Sequence, residues 1–539
     1  MHGLDITFHL LAVARRDDGP APIVHLEHEL MGLVLGVMEV GHEDVGDVGH
    51  QVDRVVPDDA DPRRRVEDWV GGTLGDGCAA GGTLDRGTHG CDCATRLPDM
   101  SGTSTALLTD HYELTMVQAA RASGTADRRS VFELFARRLP TGRRYGVVAG
   151  VGRALEAIEN FRFGQPELDF LQANSVVDDD TLQWLSQYRF SGSIWGYGEG
   201  ETYFPGSPLL VVEGTFAEAV ILETVLLSIY NYDSAVASAA SRMTLMAQGR
   251  PCIEMGSRRT SEESAVAAAR AAWVAGFAST SNLAAGQRWG IPTAGTAAHS
   301  FTLLHDNEEQ AFAAQIATLG PDTTLLVDTY DVEAAVRLGV ELTHGKLGAV
   351  RLDSGDLAVQ ASEVRELLDS LGATDTRIIV TSDLDEWQIA LLGQAPVNGY
   401  GVGTQLVTGS GAPTCSMVYK LVARAQGDEP DAPLEPVAKK STSKTTVGGR
   451  KFALRRLDDR GVAEAEVIGI GSQPDGDWND RELLLPLVQD GAIVGREDLS
   501  AARDRHQASR AELPRAIAKM SRGEPVIPTV YLDPDADHA

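Results

Sequence analysis

Between about residues 230 and 425 the chain alternates short apolar runs with longer stretches rich in alanine, leucine and glutamate, and each run ends in residues able to do chemistry. This constrains the fold more than any other feature. Parallel strands need long crossovers, usually helical, and a sequence that supplies both in turn reads as repeated βαβ units. The runs, in order, are 251–255, followed by Gly256, Ser257, Arg258 and Arg259; 276–278, followed by Ser279, Thr280, Ser281 and Asn282; and 293–296, followed by His299 and Ser300. Then come 325–327, followed by Asp328, Thr329, Tyr330 and Asp331; Val350-Arg-Leu-Asp-Ser-Gly-Asp356; 377–380, followed by Thr381, Ser382 and Asp383; and 399–402, followed by Gly403 and Thr404. Seven such ends predict an α/β chain centred on an irregular TIM-like parallel β/α barrel, because a barrel gathers its strand C-termini on one face and builds its active site there.

The flanks divide the rest. Residues 100–229 mix helical periodicity (107–122, 151–161, 181–188) with strand-like pieces (130–137, 193–197), which predicts an additional N-terminal α+β domain. The barrel is expected over 230–425 and a C-terminal segment over 426–539. That segment opens on an acidic linker at 427–435 and contains a short strand at 525–531, which its prolines place at an edge. Residues 1–99 differ in kind: seven of the thirteen histidines, three of the five cysteines, no lysine, and 19 acidic residues against 8 arginines. A metal site there would draw on His25, His28, His42, Cys78, His89, Cys91 and Cys93, but Cys91-Asp-Cys93 lacks the paired spacing of zinc ligands. The composition fits a disordered or untranslated extension, with Met100 as the start of the working protein.

A net charge of −30 argues against a nucleic-acid footprint, which needs a cationic surface. Five of the seven lysines, Lys420, Lys439, Lys440, Lys444 and Lys451, fall in one stretch, either a pocket for a phosphate-rich ligand or a solvated loop. No apolar run reaches the ~20 residues of a membrane helix. The odd cysteine count, with only Cys252 and Cys415 in the main body, fits reduced thiols and a cytoplasmic enzyme.

The motif at 350–356 delivers an arginine, two aspartates, a serine and a glycine to one point. The arginine suits a planar anion, and the aspartates suit a sugar diol or magnesium. The bland alternative is a capped helix start with Asp353 or Ser354 as N-cap. Gly399-Tyr-Gly-Val-Gly-Thr404 offers backbone N–H groups to an anion at the loop after a late strand, where barrels hold phosphate, although tight turns also use glycine. His299 follows a strand, and a lone histidine is commonly structural. Asp328 at the next strand end can pair with it as the carboxylate of a catalytic triad does.

Together, Leu107-Leu-Thr-Asp-His-Tyr-Glu-Leu-Thr-Met116, Glu254-Met-Gly-Ser-Arg-Arg259, Gly295-Thr-Ala-Ala-His-Ser300, the 350–356 motif, Gly401-Val-Gly-Thr404 and the stretch 444–451 resemble nicotinate phosphoribosyltransferases, in the family's order, from about residue 104 onward. The resemblance implies conversion of nicotinate and phosphoribosyl pyrophosphate into nicotinate mononucleotide and pyrophosphate, with ATP hydrolysed alongside and Mg2+ required. It implies that His299 is phosphorylated and that Asp328 orients it. Arg258 would meet phosphates, and Arg351 the nicotinate carboxylate. Asp353 and Asp356 fall where ribose and magnesium are expected, and Gly401, Gly403 and Thr404 at the 5′-phosphate. Ser281 and Ser382 join the substrate-binding set. Tyr112 matches a ring that stacks on the pyridine from a neighbouring subunit, which implies a homodimer.

The nicotinamide-using relative is the nearest alternative. It is disfavoured because the end at 279–282 is neutral, whereas that enzyme places an acid there, and a buried carboxylate facing a carboxylate substrate is costly. A barrel isomerase or aldolase acting on a sugar phosphate leaves Arg351 without a role. A non-catalytic homologue leaves the full set His299, Asp328, Arg351 and Asp353 unexplained.

Overall fold

The computed structural model describes residues 103–427, 429, 431–439 and 446–532. The histidine and cysteine set of the first 99 residues, Lys440 and Lys444 lie outside them.

A six-stranded parallel sheet runs in the order Ser279–Thr280, Cys252–Glu254, Gly399–Val402, Arg377–Val380, Ala349–Leu352, Thr324–Leu326. The earliest of these strands in the sequence pairs with the latest, Cys252 opposite Tyr400, as in a sheet curling back on itself. The run at 293–296 does not become a strand. It makes one bridge, Thr280 with Thr293, and among the described residues no ladder joins it to Thr324–Leu326, so the curled sheet stays open at that seam. The composition explains this: Pro292, Ala294 and Gly295 have low strand propensity, and proline offers no ladder donor. The remaining strands are largely buried, Gly399–Val402 throughout, as a parallel sheet covered by helices requires.

A seven-stranded antiparallel sheet stands beside it, in the order Leu434–Pro436, Met417–Ala425, Arg129–Ala136, Pro208–Thr215, Ser193–Tyr197, Leu484–Gln489, Ala492–Ile493. It draws strands from residues before, at the end of, and after the parallel stretch. A four-stranded sheet, Arg481–Glu482, Lys451–Leu457, Ala463–Ile470 and Thr529–Leu532, completes the C-terminal part, with Thr529–Leu532 at its edge.

The 24-residue helix Glu223–Met246 links the two large sheets. Val225, Leu226, Ile229 and Tyr230 of its first half enter the core of the antiparallel sheet, and Val236, Ala237, Ala239, Ala240 and Met243 of its second half enter that of the parallel one. Its serines Ser234 and Ser238 accept hydrogen bonds from the N–H groups of Ala149 and Val147, which satisfies buried backbone donors there.

Two lysines of the stretch are committed to internal acids. Lys451 is buried against Glu133, and Lys420 pairs with Glu223 at 3.4 Å, so each of these two neutralises an internal carboxylate. Both Cys252 and Cys415 are buried and free.

Candidate active site

Four consecutive segments meet at the C-terminal ends of the parallel strands. His299 opens the short helix His299–Leu304, just past the run that left the sheet. Its Nδ1 lies 3.1 Å from the Thr329 hydroxyl, and its Nε2 faces two carboxylates, Asp328 Oδ1 at 3.8 Å and Asp353 Oδ2 at 3.9 Å. The Asp328 contact exceeds hydrogen-bond length, so Thr329 is the group bonded to the ring here. Asp328 itself is fixed: its Oδ2 accepts from the Asp353 N–H at 3.0 Å and from the Ser354 hydroxyl at 2.7 Å. Its Oδ1 is buried with no hydrogen-bond partner. An orphaned carboxylate oxygen is costly, and this one points to a cation or a donor arriving with the reaction.

Arg351 leaves the next strand and binds its surroundings extensively. Nε donates to the Thr381 hydroxyl at 2.9 Å, Nη1 to the Thr296 hydroxyl at 3.1 Å and to the Ala297 carbonyl at 3.3 Å, and Nη2 to Asp353 Oδ1 at 3.1 Å. Only one of its five N–H groups lacks a described partner, so the two-point carboxylate grip expected from its guanidinium is not free in this arrangement. Arg351 instead ties the 296–297 segment over the strand ends and sets Asp353. Burial alone would raise the Asp353 pKa, but the Thr381 hydroxyl, then the Arg351 guanidinium and His299, hold it below the usual carboxylate range.

The other candidates separate. Asp356 is the N-cap of the helix Leu357–Ser370, its Oδ1 accepting from the Val359 N–H at 3.2 Å. The capped helix start anticipated near Asp353 or Ser354 therefore exists, but it uses Asp356 and leaves Asp353 for the site. Gly401 is required by packing: a Cβ there would sit 2.4 Å from Thr381 Cγ2 and 2.8 Å from Met255 Sδ. Gly403 caps the short helix Thr404–Val407, placing Thr404 at its start. Ser382 is exposed at φ +133°, a strained backbone for a non-glycine residue and one typical of functional loops. Arg258 is exposed on the loop after Cys252–Glu254 and makes no ion pair among the described residues. Ser281 is exposed, its N–H bonded to the Glu254 carbonyl at 2.8 Å. Tyr112 stands apart, 47% exposed on the helix His111–Ala122. Burial and the nearby Glu223 push its phenol up to about 12.

Glu254 bears on the neutral lining expected at 279–282. This carboxylate is fully buried at the end of its strand, where burial raises its pKa and the Thr280 hydroxyl and Gly256 N–H bond to it. It is turned inward, so the end at the exposed Ser281 and the half-buried Asn282 remains neutral.

Sequence reasoning passed over Thr296, Thr329, Thr381 and Glu254 as individual participants. Each lies beside a strand end, but which hydroxyl reaches which side chain is not encoded in spacing.

A family model for the N-terminal domain of nicotinate phosphoribosyltransferase (NAPRTase) matches residues 107–231. A nicotinate phosphoribosyltransferase of Mycobacterium tuberculosis is 54% identical over 432 residues, covering 78% of this chain and 94% of the relative. The Bacillus subtilis nicotinate phosphoribosyltransferase is 38% identical, covering 71% and 80%. Among solved structures, human nicotinic acid phosphoribosyltransferase superposes with a TM-score of 0.68 at 26% identity, covering 79% of this chain and 98% of that one.

Proposed function

This chain belongs to the nicotinate phosphoribosyltransferase family, and from that premise we propose that it joins nicotinate to the ribose of phosphoribosyl pyrophosphate, releasing nicotinate mononucleotide and pyrophosphate for NAD synthesis in the cytoplasm. The carrying observation is the convergence of His299 with Asp328, Arg351 and Asp353, the last three at the ends of adjacent parallel strands; the sheet is curled and open at one seam, and its strand order supports reading it as an irregular TIM-like barrel. The pyridine nitrogen attacks the anomeric carbon as the bond to the pyrophosphate oxygen breaks. Positive charge develops on the ribose, which the Asp353 carboxylate suits, and negative charge on the leaving group, which the free guanidinium of Arg258 suits.

ATP enters as co-substrate through His299. An imidazole nitrogen forms a bond to the γ-phosphorus while the bond to the ADP oxygen breaks, and ADP leaves. Thr329 and Asp328 lie on opposite sides of the ring, so a small rotation closes the 3.8 Å gap and orients it. Mg2+ would be held by the Asp328 and Asp353 carboxylates, whose Oδ1 and Oδ2 lie 3.8 and 3.9 Å from the same His299 nitrogen, rather than by Asp356, which is used as a cap. It would neutralise phosphate charge there, bound by one or two carboxylates and substrate. Tyr112, exposed on the helix His111–Ala122, is open to a second copy and would stack there in a homodimer in which each copy completes the other's site.

The test is incubation with nicotinate and phosphoribosyl pyrophosphate, with and without ATP. Nicotinate mononucleotide should form, and radiolabelled ATP with magnesium should leave an acid-labile, base-stable phosphate on the protein. His299→Ala should abolish that label while slow transfer persists. Full ATP coupling in His299→Ala would sink the phosphohistidine.

A further inference from the structure

On the opposite edge of the parallel sheet a cavity of about 360 Å³ opens where the strands Cys252–Glu254 and Ser279–Thr280 begin, closed on one side by the helix Leu499–Glu512. Three arginines line it: Arg250, Arg503 and Arg510. Among the described residues none of them makes an ion pair. Arg250 donates to the carbonyls of Leu392 at 3.3 Å and Gly393 at 3.0 Å and to the Tyr400 hydroxyl at 2.8 Å. Arg503 donates to the carbonyls of Trp273 and Phe277, both at 2.6 Å, and of Gly276 at 3.2 Å. Arg510 donates to the Ser241 carbonyl and the Thr244 hydroxyl, both at 2.9 Å.

Satisfying carbonyls near helix C-termini accounts for most of these bonds, and such termini carry partial negative charge. It does not balance three whole positive charges around one cavity, in a chain whose net charge is −30. A second observation is independent of the arginines. His506, also lining the cavity, is 2% exposed; its Nδ1 donates to the Gly200 carbonyl at 3.3 Å, and its Nε2 is buried with no partner. An unbonded lone pair and unneutralised guanidiniums together are what an absent oxyanion bearing a hydroxyl or an acidic proton would satisfy.

We propose that this cavity is a second anion site, separate from the catalytic face by the length of a strand, which takes a small phosphate-bearing ligand. The terminal phosphates of a nucleotide and an inorganic polyphosphate share the chemistry it recognises. The inference is independent of the catalytic reading, since it uses no residue of the strand C-terminal ends.

Gln507 supplies a clean probe. It is exposed, lines the cavity and has no described hydrogen bond, so Gln507→Glu adds a negative charge without disturbing the fold. The full chain is titrated calorimetrically at low salt with tripolyphosphate and, separately, with ATP in the absence of magnesium. Circular dichroism and Tm serve as the check on folding, and Arg510→Gln as the second variant. Binding attributable to this cavity should weaken at least tenfold in both variants and persist in Arg258→Gln. Weakening for both ligands assigns recognition to the phosphates alone, weakening for ATP only assigns a nucleotide, and weakening for tripolyphosphate only assigns an inorganic ligand. Affinities and stoichiometries within twofold of the parent for both ligands, in both variants, overturn the proposal.

Discussion

At Thr381 one hydroxyl serves two groups, accepting from Arg351 Nε at 2.9 Å and donating to Asp353. Its removal in Thr381→Val keeps the shape but takes away the hydrogen bond that does most to lower the Asp353 pKa. A carboxylate with a depressed pKa stays ionised to lower pH, so losing that contact moves the acid limb of kcat/KM to higher pH. We expect that limb to move to higher pH in Thr381→Val, with Thr381→Ser close to the parent. An unmoved acid limb in Thr381→Val would show that Asp353 is not the group read by that limb. Arg351→Lys keeps the charge but cannot hold Thr296, Thr381 and Asp353 together, since lysine lacks the planar fork. The expected outcome is a fall in kcat/KM of ten-fold or more, shared between nicotinate and phosphoribosyl pyrophosphate, because the 296–297 segment and Asp353 shift with it. A defect confined to the KM for nicotinate would instead make Arg351 a dedicated carboxylate anchor.

At the scale of elements, buried ion pairs join segments distant in sequence. Lys451, at the start of its strand, is buried against Glu133 in the middle of Arg129–Ala136, so the four-stranded sheet is pinned to the antiparallel one through two desolvated charges. Breaking such a pair from one side leaves an uncompensated charge and costs ~3–5 kcal/mol, whereas replacing both partners with apolar groups is often neutral. Lys451→Met should therefore lower the urea midpoint strongly, and the double change Lys451→Met with Glu133→Leu should recover most of it. Additive losses would place the stabilisation in packing. Helix starts rest on local contacts: Asp110 with Glu113 forms a capping box, and Asp178, Asn282, Asn307, Asp331, Asp356 and Asp385 each accept an N–H from the first turn of their helix. The strand-like piece at 193–197 is the strand Ser193–Tyr197.

For the molecule as a whole, the helix Glu223–Met246 makes two cores one body, and the helix Leu499–Glu512 brings His506 against the parallel sheet's lower edge. Burial, then Arg510 and Arg503, lower the His506 pKa to about 3. The unfolded chain takes up this proton below about pH 6.5 and the folded chain does not until about pH 3, so stability is complete above the unfolded pKa and falls as pH drops through that window, by ~1.4 kcal/mol per unit. His506→Gln, though less stable at neutral pH, should show a pH dependence of stability shallower by about one proton between about pH 4 and 6. An unchanged slope would mean that His506 titrates in the native state.

The sequence by itself determined the parallel strand series, the residues at the strand ends and, through the ordered motifs, the family, because strand periodicity, glycine and capping residues act over a few neighbours. It also carried Asp328, Arg351 and Asp353 to one face, since parallel strands all end on the same side; His299 joins them from the run that left the sheet. Tertiary structure alone decided the rest. The 293–296 run leaves the sheet to be held by Arg351; Thr329 rather than Asp328 bonds the imidazole; Asp356 caps a helix; Lys451 and Lys420 neutralise internal acids. Each depends on which side chains meet across separations of tens to hundreds of residues. Such meetings follow from sheet order and helix packing, and no local pattern records them.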